Sequence, residues 1–192
     1  ILDGDKKYDT ATFYSISNCQ EGLSRVTLGN FLIKRVVFEI QEELPNIKHF
    51  GTLSPIPGFR DWFSYLEDVK IKNILGDVPI ENISFLKSSD LKVGDPRIVA
   101  NKVAITKLVA HYLMNEKNHK QLPINDVCRF HLGNGAIIDD IIINANISEV
   151  GLNRSFGVMV NYLYELKNIE KNHEEYINNK TIIISDKLKK II

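Results

Sequence analysis

Cysteine is scarce in this chain: Cys19 and Cys128 are the only two in 192 residues, too few and too far apart for a disulfide framework or a metal site. Both read as plain thiols in a reducing compartment. Charge of one sign is lacking too, since Lys plus Arg and Asp plus Glu number 24 each. Net charge therefore draws the chain neither to nucleic acid nor to an anionic membrane. No apolar run approaches the roughly 20 residues of a membrane span. The opening ILDGDKKYDT lacks the charged-then-apolar order of a signal peptide, and the ending LKKII is not a Ser-Lys-Leu address. A cytoplasmic protein with no nucleic-acid or membrane partner is expected. The first residue is Ile rather than Met, as in a processed chain or a piece of a longer reading frame.

What is present suits one domain with a sizeable core, because 44% hydrophobic with 25% charged residues is an ordinary globular balance. The stretch from Gly22 to Phe59 organises the rest. Its apolar residues Ile33, Val36, Val37, Ile40 and Leu44 recur at three and four residues, which predicts a helix with one buried face. Gly22 and Gly29 bracket a loop before it, Asn30 is its expected cap, and Pro45 ends it. Such a start aims unpaired N–H groups and about half a positive charge at whatever lies in front, which suits a phosphate. His49 to Leu53 then reads as a strand, and Ser54-Pro55-Ile56-Pro57-Gly58 as a sharp turn. Upstream, Thr10 to Ile16 is β-branched and aromatic, as a central strand should be. Strand, helix and strand in that order point to an α/β or α+β domain.

Further on, Phe59 to Leu66 and Ile98 to Met114 read as helices, with an irregular stretch between them that holds short helical pieces. Pro123 suits the first turn of another helix, which stops at Gly133-Asn134-Gly135 with His131 in or just beyond its last turn. Ala136 to Ile147 is expected as a strand, 148–155 as a loop, and Phe156 to Leu166 as a helix. A charged helix over Ile169 to Ile177, a TIIIS patch and a short Lys and Ile helix close the chain.

Five segments in order, FYSISNCQEGL, LGNFLIKRVV, TLSPIPGF, RFHLGNGA and GVMVNYLYEL, together with IEKNHEEY, resemble the C-terminal half of malonyl-CoA decarboxylase. The resemblance implies a single catalytic domain over residues 1–192 with a GNAT-like acyltransferase fold, a mixed central sheet flanked by helices and incomplete at its N-terminal strands. It also implies conversion of malonyl-CoA to acetyl-CoA and carbon dioxide. The implied partners are malonyl-CoA and acetyl-CoA, a missing N-terminal domain, or a second copy of the chain.

The residues themselves are modest. On pattern alone, Ser54 is a turn residue, His131 a structural histidine, and Tyr164 an aromatic on a helix face. The resemblance implies otherwise: Ser54 engages the malonyl carboxylate or thioester carbonyl with His131, and Tyr164 belongs to the active site. Asn161 remains either a supporting hydrogen-bonding group or a surface residue. His49, His111, His119 and His173 read as ordinary, the last on a solvated face. Losing carbon dioxide leaves a thioester enolate, so the enzyme must stabilise charge on the thioester oxygen and then protonate carbon. Hydroxyl or N–H groups would do the first task and a His131 imidazolium the second. The thioester is the electron sink, so no metal or organic cofactor is expected.

Ser24, Arg25, Val26, Thr27, Leu28, Gly29 and Asn30 match where the family grips its substrate, although a plain capping loop would explain Gly29-Asn30 equally. Thr27 stands where some members carry glutamate. A larger departure follows GNGA: Asp140, Ile142-Ile143 and Asn146 replace the family's Arg, Asn-Trp and Asp. The competing expectations are a coenzyme A-binding acyltransferase or sensor on the same fold, and an inactive fragment.

Overall fold

Thr10–Phe13 forms β1, and its exposed and half-buried residues alternate as in a strand with one solvated face. In the computed structural model of this chain, which describes residues 8–13 and 29–192, β1 pairs in parallel with β2, His49–Pro55. Between them runs α1, Gly29–Glu43, whose Ile33 and Val37 are buried one turn apart. The strand, helix, strand unit expected from the sequence is therefore present. Two details differ. Among the described residues β1 has one strand neighbour and lies at the sheet edge, not its centre, and α1 begins at Gly29, so Asn30 stands inside its first turn.

Beyond β2 the chain forms α2 (Phe59–Ser64), α3 (Asp68–Leu75), a 3₁₀ segment (Ile80–Lys87), α4 (Pro96–Ala100) and α5 (Lys102–Met114). The expected helix from Ile98 to Met114 is thus broken at Asn101, whose side chain turns back to the Arg97 carbonyl. Next come α6 (Asp126–Gly133) and β3 (Ile137–Ile142). They are followed by α7 (Glu149–Ser155), β4 (Met159–Leu163), α8 (Ile169–Asn179) and α9 (Asp186–Lys189). Pro123 precedes α6 without joining it, because Asn125 is the cap.

Two expectations are overturned between 148 and 166. Residues 149–155 are helical, since Ser148 Oγ accepts the Gly151 N–H and caps α7. Phe156 to Leu166 carries a strand in place of the expected helix. Val158, Val160, Tyr162 and Tyr164 are each at most 1% exposed, while Asn161 and Leu163 between them are half-buried. That is a period of two, masked in the sequence because Met159 and Leu163 are apolar as well.

The strands assemble in the order β1-β2-β4-β3, with β2 antiparallel to β4 and β4 antiparallel to β3. The result is a mixed α/β fold with a four-stranded mixed sheet flanked by helices, consistent with the GNAT-like expectation. Register decides what each face carries. Thr52 lies opposite Tyr162 and Ser54 opposite Val160, so these side chains share one face with Phe50 and Tyr164, and all six are buried. The other face presents the half-buried Leu53, Asn161 and Leu163. α6 packs over the buried face, and α1 packs against α6. Emptying a fully buried aromatic site of the core, such as Phe59 or Phe63 of α2, would cost about 3–5 kcal/mol. No helix among the described residues is long and apolar enough to cross a membrane.

Candidate active site

Ser54 is the penultimate residue of β2, so its position is set by the strand ladder, and the chain turns immediately after it. Gly58 completes the corner at φ +79°, where a Cβ would lie 2.9 Å from the Tyr112 hydroxyl. The Pro57 carbonyl accepts hydrogen bonds from both Tyr112 Oη and Asn125 Nδ2. The corner is pinned from two helices.

His131 comes to Ser54 from the last turn of α6, as the sequence led one to expect. Its Nε2 lies 2.9 Å from Ser54 Oγ, and its Nδ1 lies 2.7 Å from Tyr164 Oη. Ser54 Oγ also donates to Thr52 Oγ1 at 3.1 Å. In the arrangement in which Ser54 donates to Thr52, the tautomer with the proton on Nε2 donates to Ser54 while Nδ1 accepts from the Tyr164 hydroxyl. Four side chains from β2, α6 and the end of β4 thus form one hydrogen-bonded row. The ring is held flat as well: Tyr162 stacks on it with centroids 4.3 Å apart at 21°, and Phe130 meets it edge-on at 5.2 Å.

Electrostatics departs from expectation here. His131 is 4% exposed, and burial pushes its pKa down to about 3. A helix C-terminus favours a cation by only about 0.3–1 kcal/mol, which burial easily outweighs. The imidazole is therefore neutral at physiological pH, not the imidazolium expected from the sequence. Burial also raises the Tyr164 phenol, so it stays protonated. Cys128, three residues before His131 on α6, is pushed up to about 12 by burial and is no nucleophile.

The sequence-based site residues fall into three groups. Ser54, His131 and Tyr164 meet. Ser24, Arg25, Val26, Thr27 and Leu28 lie outside the described residues, and Gly29 and Asn30 are described only as the first turn of α1. Asn161 does not join: it sits on the opposite face of β4, its Nδ2 donating to Asp139 Oδ2 at 3.4 Å. His173 is not on a solvated face, since its Nδ1 donates to the Gly133 carbonyl at 2.6 Å and ties α8 to α6. Thr52, Asn125 and Tyr162 were missed. The alternation of VMVNYLY would have aligned Tyr162 with Tyr164, and Asn125 before the apolar positions of α6 carries a cap signal.

Of the departures after GNGA, Asp140 does not face His131. Asp140 pairs with Asn161 in register, faces away from the buried row, and forms an ion pair with Lys187 of α9. Asp139 occupies a bulge between Ile138 and Asp140. Asn146 Oδ1 accepts from the N–H and hydroxyl of Ser148, making a turn before α7. Among the described residues no group of three or more His, Cys, Asp or Glu side chains could hold a metal ion.

Comparison with known proteins bears on this geometry. The family model described as the malonyl-CoA decarboxylase C-terminal domain matches residues 2–192. Mitochondrial malonyl-CoA decarboxylase of Rattus norvegicus is 38% identical over 200 residues, covering 95% of this chain and 40% of the relative. That of Anser anser anser is 38% identical over 201 residues with the same coverage. The crystal structure of malonyl-CoA decarboxylase from Rhodopseudomonas palustris superposes with a TM-score of 0.83 at 39% identity, covering 95% of this chain and 42% of that one. The corresponding structure from Cupriavidus metallidurans gives 0.78 at 36%, covering 96% and 48%. The present chain spans about 40% of the length of the curated relatives it matches.

Proposed function

This chain belongs to the malonyl-CoA decarboxylase family, and on that premise we propose that it is the catalytic domain, residues 1–192, of a carboxy-lyase converting malonyl-CoA to acetyl-CoA and carbon dioxide. One observation carries the reading: the buried row in which Ser54 Oγ, His131 and Tyr164 Oη stand 2.9 and 2.7 Å apart.

The chemistry follows from a neutral ring. Loss of carbon dioxide leaves an enolate with charge on the thioester oxygen and basicity at carbon. With substrate bound, the Ser54 hydroxyl would turn from Thr52 and the His131 Nε2–H from Ser54 to donate to that oxygen in a dry site, where such dipoles act strongly. A carbon this basic takes a proton from a neutral imidazole N–H, so no imidazolium is needed. The Tyr164 hydroxyl, donating to Nδ1, keeps the proton on Nε2 and steadies the charge left on the ring after transfer. The thioester is the electron sink, so this route uses no metal or organic cofactor.

Residues 24–30 would grip the coenzyme A diphosphate, with Arg25 adding a side-chain charge to the N–H groups that open α1. Packing of α1 on α6 supports that assignment, because it joins the helix behind the cradle to the helix bearing His131. The acting partners are malonyl-CoA and acetyl-CoA, with the remainder of a longer protein or a second copy completing the assembly. The same reading keeps the chain in a reducing, cytoplasmic setting, unlike the mitochondrial one in the curated relatives' names.

Carbon dioxide release from malonyl-CoA by the purified protein tests the proposal. His131→Ala and Ser54→Ala should each lower kcat at least a hundredfold while leaving the fold cooperative. Turnover by His131→Ala equal to the unaltered protein would overturn the mechanism. Acetyl transfer to an added amine or thiol, with little free acetyl-CoA, would favour an acyltransferase instead.

A further inference from the structure

Asn125 touches neither Ser54 nor His131, yet it grips both elements that carry them. Its side chain is buried, the residue being 2% exposed. Its Oδ1 accepts the Cys128 backbone N–H at 2.8 Å, capping α6, and its Nδ2 donates to the Pro57 carbonyl at 2.9 Å. A backbone N–H only donates and a carbonyl only accepts, so the neighbours fix which way the amide points.

We propose that Asn125 is a positioning residue that sets the Ser54 to His131 distance, by clamping the proline corner after β2 to the first turn of α6. Its catalytic consequence rests on the decarboxylase reading. Pro57 follows Ser54 by three residues, and His131 follows Cys128 by three along the same short helix. A displacement of the corner against the start of α6 is carried to the imidazole, because one turn of helix is stiff. A misplacement of about 1 Å costs on the order of a hundredfold in rate. Tyr112 Oη shares the Pro57 carbonyl at 3.0 Å, but it holds the corner to α5 and not to α6.

An ordinary cap would explain half of this, and the two roles separate chemically. Capping needs only a side-chain oxygen, which serine supplies as well as asparagine. Reaching Pro57 needs the amide N–H. Asn125→Ser therefore keeps the cap and loses the clamp, while Asn125→Asp keeps the cap and sets a carboxylate against the Pro57 carbonyl. Ser148→Ala, which removes the cap of α7, controls for cap loss away from the site.

The experiment measures kcat, KM for malonyl-CoA, the unfolding midpoint and the His131 ring resonances by NMR in these three variants of the whole chain. Asn125→Ser and Asn125→Asp should fold, keep KM within about twofold, lose about ten- to a hundredfold in kcat and shift the His131 resonances. Ser148→Ala should keep kcat and those resonances. Wild-type kcat and unmoved resonances in Asn125→Ser would overturn the clamp. Failure of both Asn125 variants to fold beside a folded Ser148→Ala would do the same, making Asn125 a folding residue. Should the unaltered protein release no carbon dioxide, the decarboxylase reading fails by itself, and the resonances alone then judge the clamp: shifted supports it, unmoved overturns it.

Discussion

Gly135 and Ile169 meet backbone to backbone: a Cβ on Gly135 would lie 2.0 Å from the Ile169 carbonyl oxygen. The start of α8 is thereby seated against the turn that follows His131. Asn172 Nδ2 donates to the Gly135 carbonyl at 3.3 Å, and His173 ties the next turn of α8 to Gly133. The second glycine of the GNGA motif is thus a packing requirement beside the site.

Gly135→Ala should destabilise the protein by about 3 kcal/mol or more. It combines a positive φ of +80° with contact against backbone that has nowhere to retreat. Gly133→Ala is its contrast. It lies in α6, a Cβ there meets nothing within 4 Å, and alanine is the better helix former. That change should be neutral or stabilise by up to about 1 kcal/mol. Urea unfolding of the two variants checks the pair, and equal midpoints would refute the packing argument.

Stability should fall with acid through His131. Above pH ~6.5 the ring is neutral whether folded or unfolded and contributes no pH dependence. Below it the unfolded chain binds a proton that the folded chain refuses until about pH 3, so folding loses up to about 1.4 kcal/mol per pH unit across that window. His131→Gln, which cannot titrate, should flatten the slope between pH 6.5 and 4 without removing what other groups contribute. Identical slopes would mean that the ring is not held neutral by burial.

Legibility in the sequence divided along physical lines. The crossover through α1 was readable because Ile33 and Val37 repeat at helical spacing and Pro45 forbids continuation. The end of α6 was readable because Gly133 to Gly135 stop it beside His131. β4 was not, because Met159 and Leu163 fill the half-buried face with apolar side chains and erase the polar alternation that marks a strand. The meeting of Ser54 with His131 came from resemblance, since their contact depends on α6 packing over β2, a tertiary approach that no local pattern announces. Charge state was beyond reach as well: only burial, known from the fold, makes the imidazole neutral.

Asp140 should matter to α9 and not to catalysis. It stands where the family carries arginine, which looks like a reversed charge beside the site in sequence. In space it is turned away from His131 and paired with Lys187. Asp140→Asn should leave kcat within about twofold, and a partly exposed pair of this kind is worth about 1 kcal/mol or less. The loss should shrink as salt is added. A drop in kcat of ten times or more would mean that the departure reaches the chemistry.

Tyr164→Phe isolates the far end of the row. The ring remains buried, so packing is kept, but His131 Nδ1 loses its partner at 2.7 Å in a site too dry for water to replace it. An unpartnered buried nitrogen costs about 1–3 kcal/mol in either tautomer, and the preference for Nε2–H that the hydroxyl imposed is lost. Transfer of the proton to Nδ1 would remove the donor facing Ser54. The expected signature is a kcat lowered about ten- to a hundredfold with KM little changed, because the hydroxyl acts on the ring and not on bound coenzyme A. ¹⁵N signals of His131 should move from the Nε2–H pattern toward a mixture. Non-additivity completes the argument: once His131 is alanine, Tyr164→Phe should cost almost nothing further. Full and independent losses in the double variant would show that Tyr164 works by a route that bypasses the imidazole.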